Sequence, residues 1–335
     1  MNRTKMHNKR ALALFSGGLD SMLAIKLVKD QGVDVTALFI DTGFGSTKDN
    51  RDILKKRTDI VGADFEIVDV RDGFIKDILF TPKYGYGKNF NPCIDCHANM
   101  IRVAKALLPK FDAHFVITGE VLAQRPMSQR KDALLQVKKL AKDLEDNLLL
   151  RPLSAKLLEP TKPEIEGWVD REKLLDISGR NREVQLRLAK EYGFEDYESP
   201  GGGCLLTDER FSNKLRDFVK YEKLEVDDIE LLKVGRHLRI NDKVKLIIGR
   251  NQEENQKIKD VINRKMELID VLDLPSPISC ISKGATKEDK ELAAKIILTF
   301  TKAKSDEEYV VTFDKESIKA SPFNSRDEVK KYFIK

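Results

Sequence analysis

Between residues 9 and 70, short apolar runs alternate with stretches of helical spacing. ALALF at 11–15 is followed by MLAIKLVKD, whose apolar positions repeat at three and four, with Gly32 as its C-cap. DVTALFI at 34–40, a charged helix from Arg51 to Asp59 and FEIVDV continue the series. Such an order predicts a parallel sheet with right-handed crossovers and helices on both faces. A helix from about Ala98 to Leu108 stops at Pro109 and leads into HFVITG, a fourth strand that ends at Gly119. After the polar stretch 130–147, LLLRPL predicts a last strand. Thr161, Pro163 and Glu164 have capping-box spacing, and a helix from Arg182 to Tyr192 closes on Gly193.

The run SPGGGC, with glycines at 201–203, cannot hold regular structure and predicts a tight loop. Beyond about Asp208 the register changes. KVKLIIGR reads as a strand, EENQKIKDVINRKME as a helix, KEDKELAAKIILTFTK as a helix and YVVTF as a strand. The expectation is a doubly wound α/β domain over 1–205 and a smaller α+β domain over 206–335. The chain's 335 residues suit two domains, and 41% hydrophobic with 34% charged residues suits a globular chain. No apolar run approaches a membrane span, and the basic start MNRTKMHNKR lacks a signal-peptide core, so no membrane partner and a cytoplasmic location are expected. A net charge of +5 neither demands nor repels a nucleic acid.

Ser16, Gly17, Gly18, Leu19, Asp20 and Ser21 lie between the first strand and its helix. Glycines there let backbone N–H groups approach a ligand, and the helix N-terminus favours an anion. The loop lacks a Walker lysine and the dinucleotide spacing, which argues against γ-phosphoryl transfer and against NAD. A plain glycine-rich turn capped by Asp20 and Ser21 is the competing reading. SGGLDS after an apolar strand resembles the pyrophosphate loop of the PP-loop ATP pyrophosphatases, whose fold is adenine nucleotide α-hydrolase-like. That resemblance implies cleavage of ATP between its α and β phosphates to AMP and pyrophosphate. Ser16, Gly17, Gly18, Asp20 and Ser21 would hold pyrophosphate with Mg²⁺, Ile40 would contact adenine, and Gly119 of VITGE would contact ATP. GEVLAQRPMSQ and LLLRPL resemble segments of the tRNA 4-thiouridine synthetases. Gln124, Arg125 and Gln129 there are either a polar surface loop or part of the site, with Arg125 suited to an anion.

Four cysteines in such a chain point to metal, redox or nucleophile chemistry rather than stapling. NPCIDCHANMIR carries Cys93 and Cys96, and GGGC carries Cys204. By resemblance to the tRNA 2-thiouridylases, Cys204 would bear a persulfide and Cys96 would be its disulfide-forming partner or nucleophile. Cys93 departs from that pattern. With Cys96 and Cys204 it makes three soft ligands for a [4Fe–4S] cluster, the reading placed ahead of the cluster-free one. Zinc held by Cys93, Cys96, Cys204 and His97 is an alternative, hampered by adjacent Cys96 and His97. CIDCH also fits the haem rule, but haem attachment belongs with export. Cys280 reads as an ordinary small residue.

Lys233, Arg236, Arg239, Lys243, Lys245 and Arg250 stand against one acid, Asp242, over eighteen residues. They form either a phosphate-contact surface or a solvated strand face. GRHLR with KLIIGRNQEEN resembles the small NFACT-type RNA-binding module. Only about eight residues precede the first strand, so the amino-terminal extension of the thiouridine synthetases is not expected, nor is a rhodanese domain. The combined reading is an ATP-dependent tRNA sulfurtransferase acting on a uridine carbonyl. Asp20 would serve the pyrophosphate, Cys93, Cys96 and Cys204 the sulfur, and a sulfide or cysteine desulfurase would be the donor. The alternatives are a PP-loop amidating or ligating enzyme for a small metabolite, and a non-catalytic zinc-containing RNA-binding protein.

Overall fold

Strands β1 (Arg10–Leu14), β2 (Asp34–Asp41), β3 (Asp64–Asp69), β4 (Phe115–Thr118) and β5 (Leu149–Leu150) pair in parallel in the order β3-β2-β1-β4-β5. The computed structural model describes residues 9–45, 50–198, 203–272, 274–314 and 316–334. It divides the chain into Met1–Thr207 and Asp208–Lys335. In the first unit the period of two along each strand feeds both sheet faces. Ala11, Ala13, Val35, Ala37, Phe115, Ile117 and Leu150 pack on one side with α1 (Leu19–Lys29), α2 (Arg51–Val61) and α7 (Glu183–Glu191). Leu12, Leu38, Ile40, Val116 and Leu149 pack on the other with α4 (Cys93–Leu107) and α5 (Lys131–Leu140). This is a doubly wound sheet. Short helices α3 (Arg71–Phe74), continued by a π-helical turn, and α6 (Lys162–Ile165) complete the unit. The capping box of Thr161 and Glu164 forms as the spacing predicts, yet α6 is four residues long. Strand order reverses between β1 and β4, and such a switch point opens a crevice at the carboxyl ends of the strands.

Two boundaries differ from the sequence expectation in a way that matters. Helix α4 begins at Cys93, five residues earlier than predicted, because Pro92 tolerates the N-cap position and Cys96 N–H donates to Pro92 O at 2.8 Å. Cys93 and Cys96 therefore lie on one helical turn rather than in a loop. The predicted loop SPGGGC falls mostly outside the described residues, since 199–202 are not described.

The second unit is built on an antiparallel sheet ordered β11-β10-β8-β9-β7-β6. Its strands are β6 (Arg236–Asn241), β7 (Val244–Ile248), β8 (Met266–Val271), β9 (Ser279–Ser282), β10 (Tyr309–Thr312) and β11 (Ser317–Ala320). Its helices are α8 (Glu209–Tyr221), α9 (Val226–Lys233), α10 (Gln252–Val261) and α11 (Lys287–Leu298). Leu246, Ile248 and Ile281 meet Ala293, Ala294 and Ile297 of α11, while Ile247 and Cys280 meet Leu231 and Ile258 on the opposite face. Cys280 is thus a core residue, its thiol pushed up to about 12 by burial.

Candidate nucleotide and thiol site

The turn after β1 is held from outside by groups that leave its first amides free. Gly17 has φ +78, and a Cβ on it would lie 2.5 Å from Leu54 Cδ2. Only glycine meets both demands. Arg57 Nη1 and Glu198 N–H donate to Gly17 O at 3.1 and 3.2 Å, and Arg57 Nη2 pairs with Asp196 at 2.8 Å. Gly18 caps α1, and its carbonyl accepts from Ser21 N, Met22 N and Ser21 Oγ. Gly18 N–H reaches Ser16 Oγ at 3.4 Å. The N–H groups of Leu19 and Asp20, first in the helix, have no partner within it, which is what an anion needs.

Gly119 stands at the carboxyl end of β4, where an added Cβ would come 2.6 Å from Ser21 N. Its placement lets β4 and the start of α1 close on each other. Ile40 is at the carboxyl end of β2 with its side chain in the core. Gln124 Nε2 donates to Asp20 Oδ2 at 2.8 Å, so these two expected site residues do meet. Arg125 is exposed, away from that bond, and Gln129 is buried with Oε1 unpaired.

Four side chains that motif reading passed over lie here. Arg182, the N-cap of α7, places Nη2 3.1 Å from Asp20 Oδ1, and the fully buried Gln185 donates to Gln124 Oε1. Glu120, next after Gly119, accepts from Arg151 Nε at 2.8 Å, from Thr118 Oγ1 at 3.1 Å and from His97 Nδ1 at 2.9 Å. Burial raises the Glu120 carboxyl, but Arg151 and then His97 outweigh it and hold it down to about 2. Arg151 Nη2 is buried without a partner. Glu120 and Arg151 both follow strand ends, in VITGE and LLLRPL. A charged residue just past a buried strand was the available signal, but it names no partner.

The thiols of Cys93, Cys96 and Cys204 converge closely enough to act on one another electrostatically. Burial, then Cys204 and Cys93, push the Cys96 thiol well above the usual range. Cys204 is an exposed residue whose sulfur is nonetheless crowded: burial raises it to about 11 against N–H donors from Leu206 and Thr207. The loop around it is tied down by Leu205 N–H to Phe44 O and by Asn89 Nδ2 to Thr207 O. At neutral pH Cys96 and Cys204 carry protons.

The metal reading gains no support from the structure. Among the described residues no three or more His, Cys, Asp or Glu side chains are placed to hold a metal ion. Asn91 Nδ2 donates to Cys93 Sγ at 3.2 Å, and His97 is committed to Glu120, which removes it from a zinc set. A [4Fe–4S] cluster on Cys93, Cys96 and Cys204 therefore finds no support in this arrangement.

Most cations of the basic stretch of the second unit have partners inside that unit. Arg239 pairs with Asp217 at 2.6 Å, Lys233 with Glu230 at 2.6 Å, and Arg250 with Glu254, while Arg236 donates to Gly249 O. Lys245 is 2% exposed, its Nζ 3.7 Å from Asp217 and without a hydrogen bond. Lys243 and Arg250 are the exposed members of the six. Arg239 and Lys245, cross-strand neighbours on β6 and β7, both face Asp217 of α8. Burial depresses Lys245 to about 7 from 10.5. Between those values the unfolded state holds more protons, so stability of this unit rises with pH there. Lys245→Met is expected to stabilise it at pH 7 by about 1–4 kcal/mol, since Asp217 keeps Arg239. The gain should vanish as pH nears 10.5. Denaturant unfolding across that range checks it.

The parallel sheet and its helices have the HUP, PP-loop type of fold, and residues 10–85 match the family described as argininosuccinate synthase N-terminal HUP domain. Residues 235–333 match the NFACT protein RNA binding domain. Over 249 residues the chain is 26% identical to the tRNA-specific 2-thiouridylase MnmA of Francisella tularensis subsp. tularensis, and over 246 residues 25% identical to that of subsp. novicida. Each alignment covers 69% of this chain, which spans 64% of the relatives' length. A crystal structure of a 4-thiouridine synthetase–RNA complex with bound ATP shares 19% identity at a TM-score of 0.40. It covers 67% of this chain and 52% of that one, and at that score adds nothing to the reading. The chain resembles the PP-loop tRNA thiouridylases in its first part and NFACT-type domains in its second.

Proposed function

We propose that this chain is an ATP-dependent tRNA sulfurtransferase. The uridine carbonyl oxygen attacks the α-phosphorus of ATP, and pyrophosphate leaves with the bridging oxygen. The terminal sulfur of a Cys204 persulfide then attacks the activated carbon, and AMP departs with the former carbonyl oxygen. Cys96 attacks Cys204 Sγ. The persulfide S–S bond breaks, its electron pair stays on the uridine sulfur, and a Cys96–Cys204 disulfide remains for an external thiol to reduce. What supports this reading is the glycine turn at the start of α1, whose first amides have no partner in the helix, in the same unit as Cys96 and Cys204. A ligase for a small metabolite would have no use for the two cysteines.

The test supplies ATP, Mg²⁺, unmodified tRNA, and cysteine with a cysteine desulfurase as sulfur source. AMP, pyrophosphate and thiouridine should appear together and only with tRNA, with nucleoside mass spectrometry reporting sulfur-for-oxygen exchange. AMP formation indifferent to tRNA would select the ligase. Iron and acid-labile sulfide are measured on the same anaerobic preparation, and stoichiometric amounts would replace the persulfide with a cluster.

A further inference from the structure

We propose that Arg182 is the cation of the phosphate subsite, held in reserve by Asp20 until the anion arrives. This rests on reading the loop as a site for ATP. Ser16 to Ser21 include no lysine or arginine, so beyond the Mg²⁺ that accompanies the nucleotide the departing pyrophosphate meets only amides and a helix dipole from the loop itself. A side-chain cation for it comes from elsewhere in the fold. Arg57 reaches the loop but is already engaged, Nη1 on Gly17 O and Nη2 on Asp196.

Arg182 remains. Its side chain is 16% exposed, its Nη2 lies 3.1 Å from Asp20 on the first turn of α1, and its Nε is buried without a hydrogen-bond partner. An unmade N–H at depth costs stability unless an acceptor visits it. The side chain is also well aimed. Gly179 N–H donates to Leu122 O just before it, and Gln185, one turn on, donates to Gln124, which itself donates to Asp20. One carboxylate thus gathers the amide and the guanidinium, and its exchange for a phosphate oxygen would leave both donors facing the anion. As the bond between the α and β phosphates breaks and its electron pair leaves on the bridging oxygen, the planar guanidinium donates to the pyrophosphate oxygens.

The experiment measures binding of inorganic pyrophosphate and, separately, of AMP to the full chain in excess Mg²⁺, for the wild type, Arg182→Lys and Arg182→Ala. Pyrophosphate affinity should fall about 100-fold for alanine and about tenfold for lysine, with AMP affinity within about twofold. Guanidinium ion added to the alanine variant should restore part of the loss. Unchanged pyrophosphate affinity overturns the proposal, as does a parallel fall for both ligands with a lower melting temperature. If the alanine variant does not fold, the pyrophosphate-to-AMP ratio of the lysine variant decides. A wild type that binds pyrophosphate through Arg182 yet makes no AMP with tRNA refutes the sulfur-transfer reading and leaves this one standing.

Discussion

Cys204→Ser is expected to lose thiouridine formation by about a thousandfold or more while still forming AMP from ATP when tRNA is present. The split follows from the division of labour. In the proposed sequence adenylation is assigned to the loop, Asp20 and Arg182 and not to Cys204, whereas a hydroxyl cannot carry a transferable sulfur. The thiol itself adds a pH signature. With Cys204 raised to about 11, its thiolate fraction should climb about tenfold per pH unit from 7 to 10. Iodoacetamide labelling of Cys204, followed by peptide mass spectrometry, reads that slope directly. Rapid labelling that levels off near neutral pH would mean that the sulfur is activated, not crowded. Equal loss of AMP formation and thiolation would tie Cys204 to the first step and break the proposed sequence.

The second large effect is on stability. Arg151→Met should cost about 3–5 kcal/mol at pH 7, because it leaves Glu120 buried with only His97 and Thr118. In the wild type the Glu120 carboxyl lies at about 2 against 4.5. A lowered folded-state value means that its contribution is complete above 4.5 and is lost as pH falls toward 2. Removing the guanidinium leaves burial as the dominant influence, so the carboxyl should rise above 4.5 and the variant weaken as pH increases from 5 to 8. Denaturant unfolding of the wild type, Arg151→Met, Glu120→Gln and the double variant forms a cycle. The double variant should recover much of the loss. A cycle without coupling would show that the pair is not what holds this end of the sheet.

Much of this protein is written in local pattern. The parallel sheet follows from apolar runs alternating with helices, because such strands are buried on both faces and need crossovers. The loop at Ser16–Ser21 follows from glycines placed between strand and helix, where only backbone can approach an anion. Local logic left two points unsettled. The helix predicted from about Ala98 starts at Cys93, because a proline stands at its N-cap. The basic stretch was open between a phosphate-contact surface and a solvated face, and five of its six cations have partners within the second unit.

Sequence alone determined the fold class, the glycine turn after β1 and the presence of the thiols, since each depends on residues near one another in the chain. Tertiary structure decided which distant groups complete them. Arg182 lies 162 positions from Asp20, and Arg151 lies 31 from Glu120. A charge some distance along the chain has no periodicity or spacing to betray its partner. Burial and proximity, which set its energy, exist only once the strands have closed.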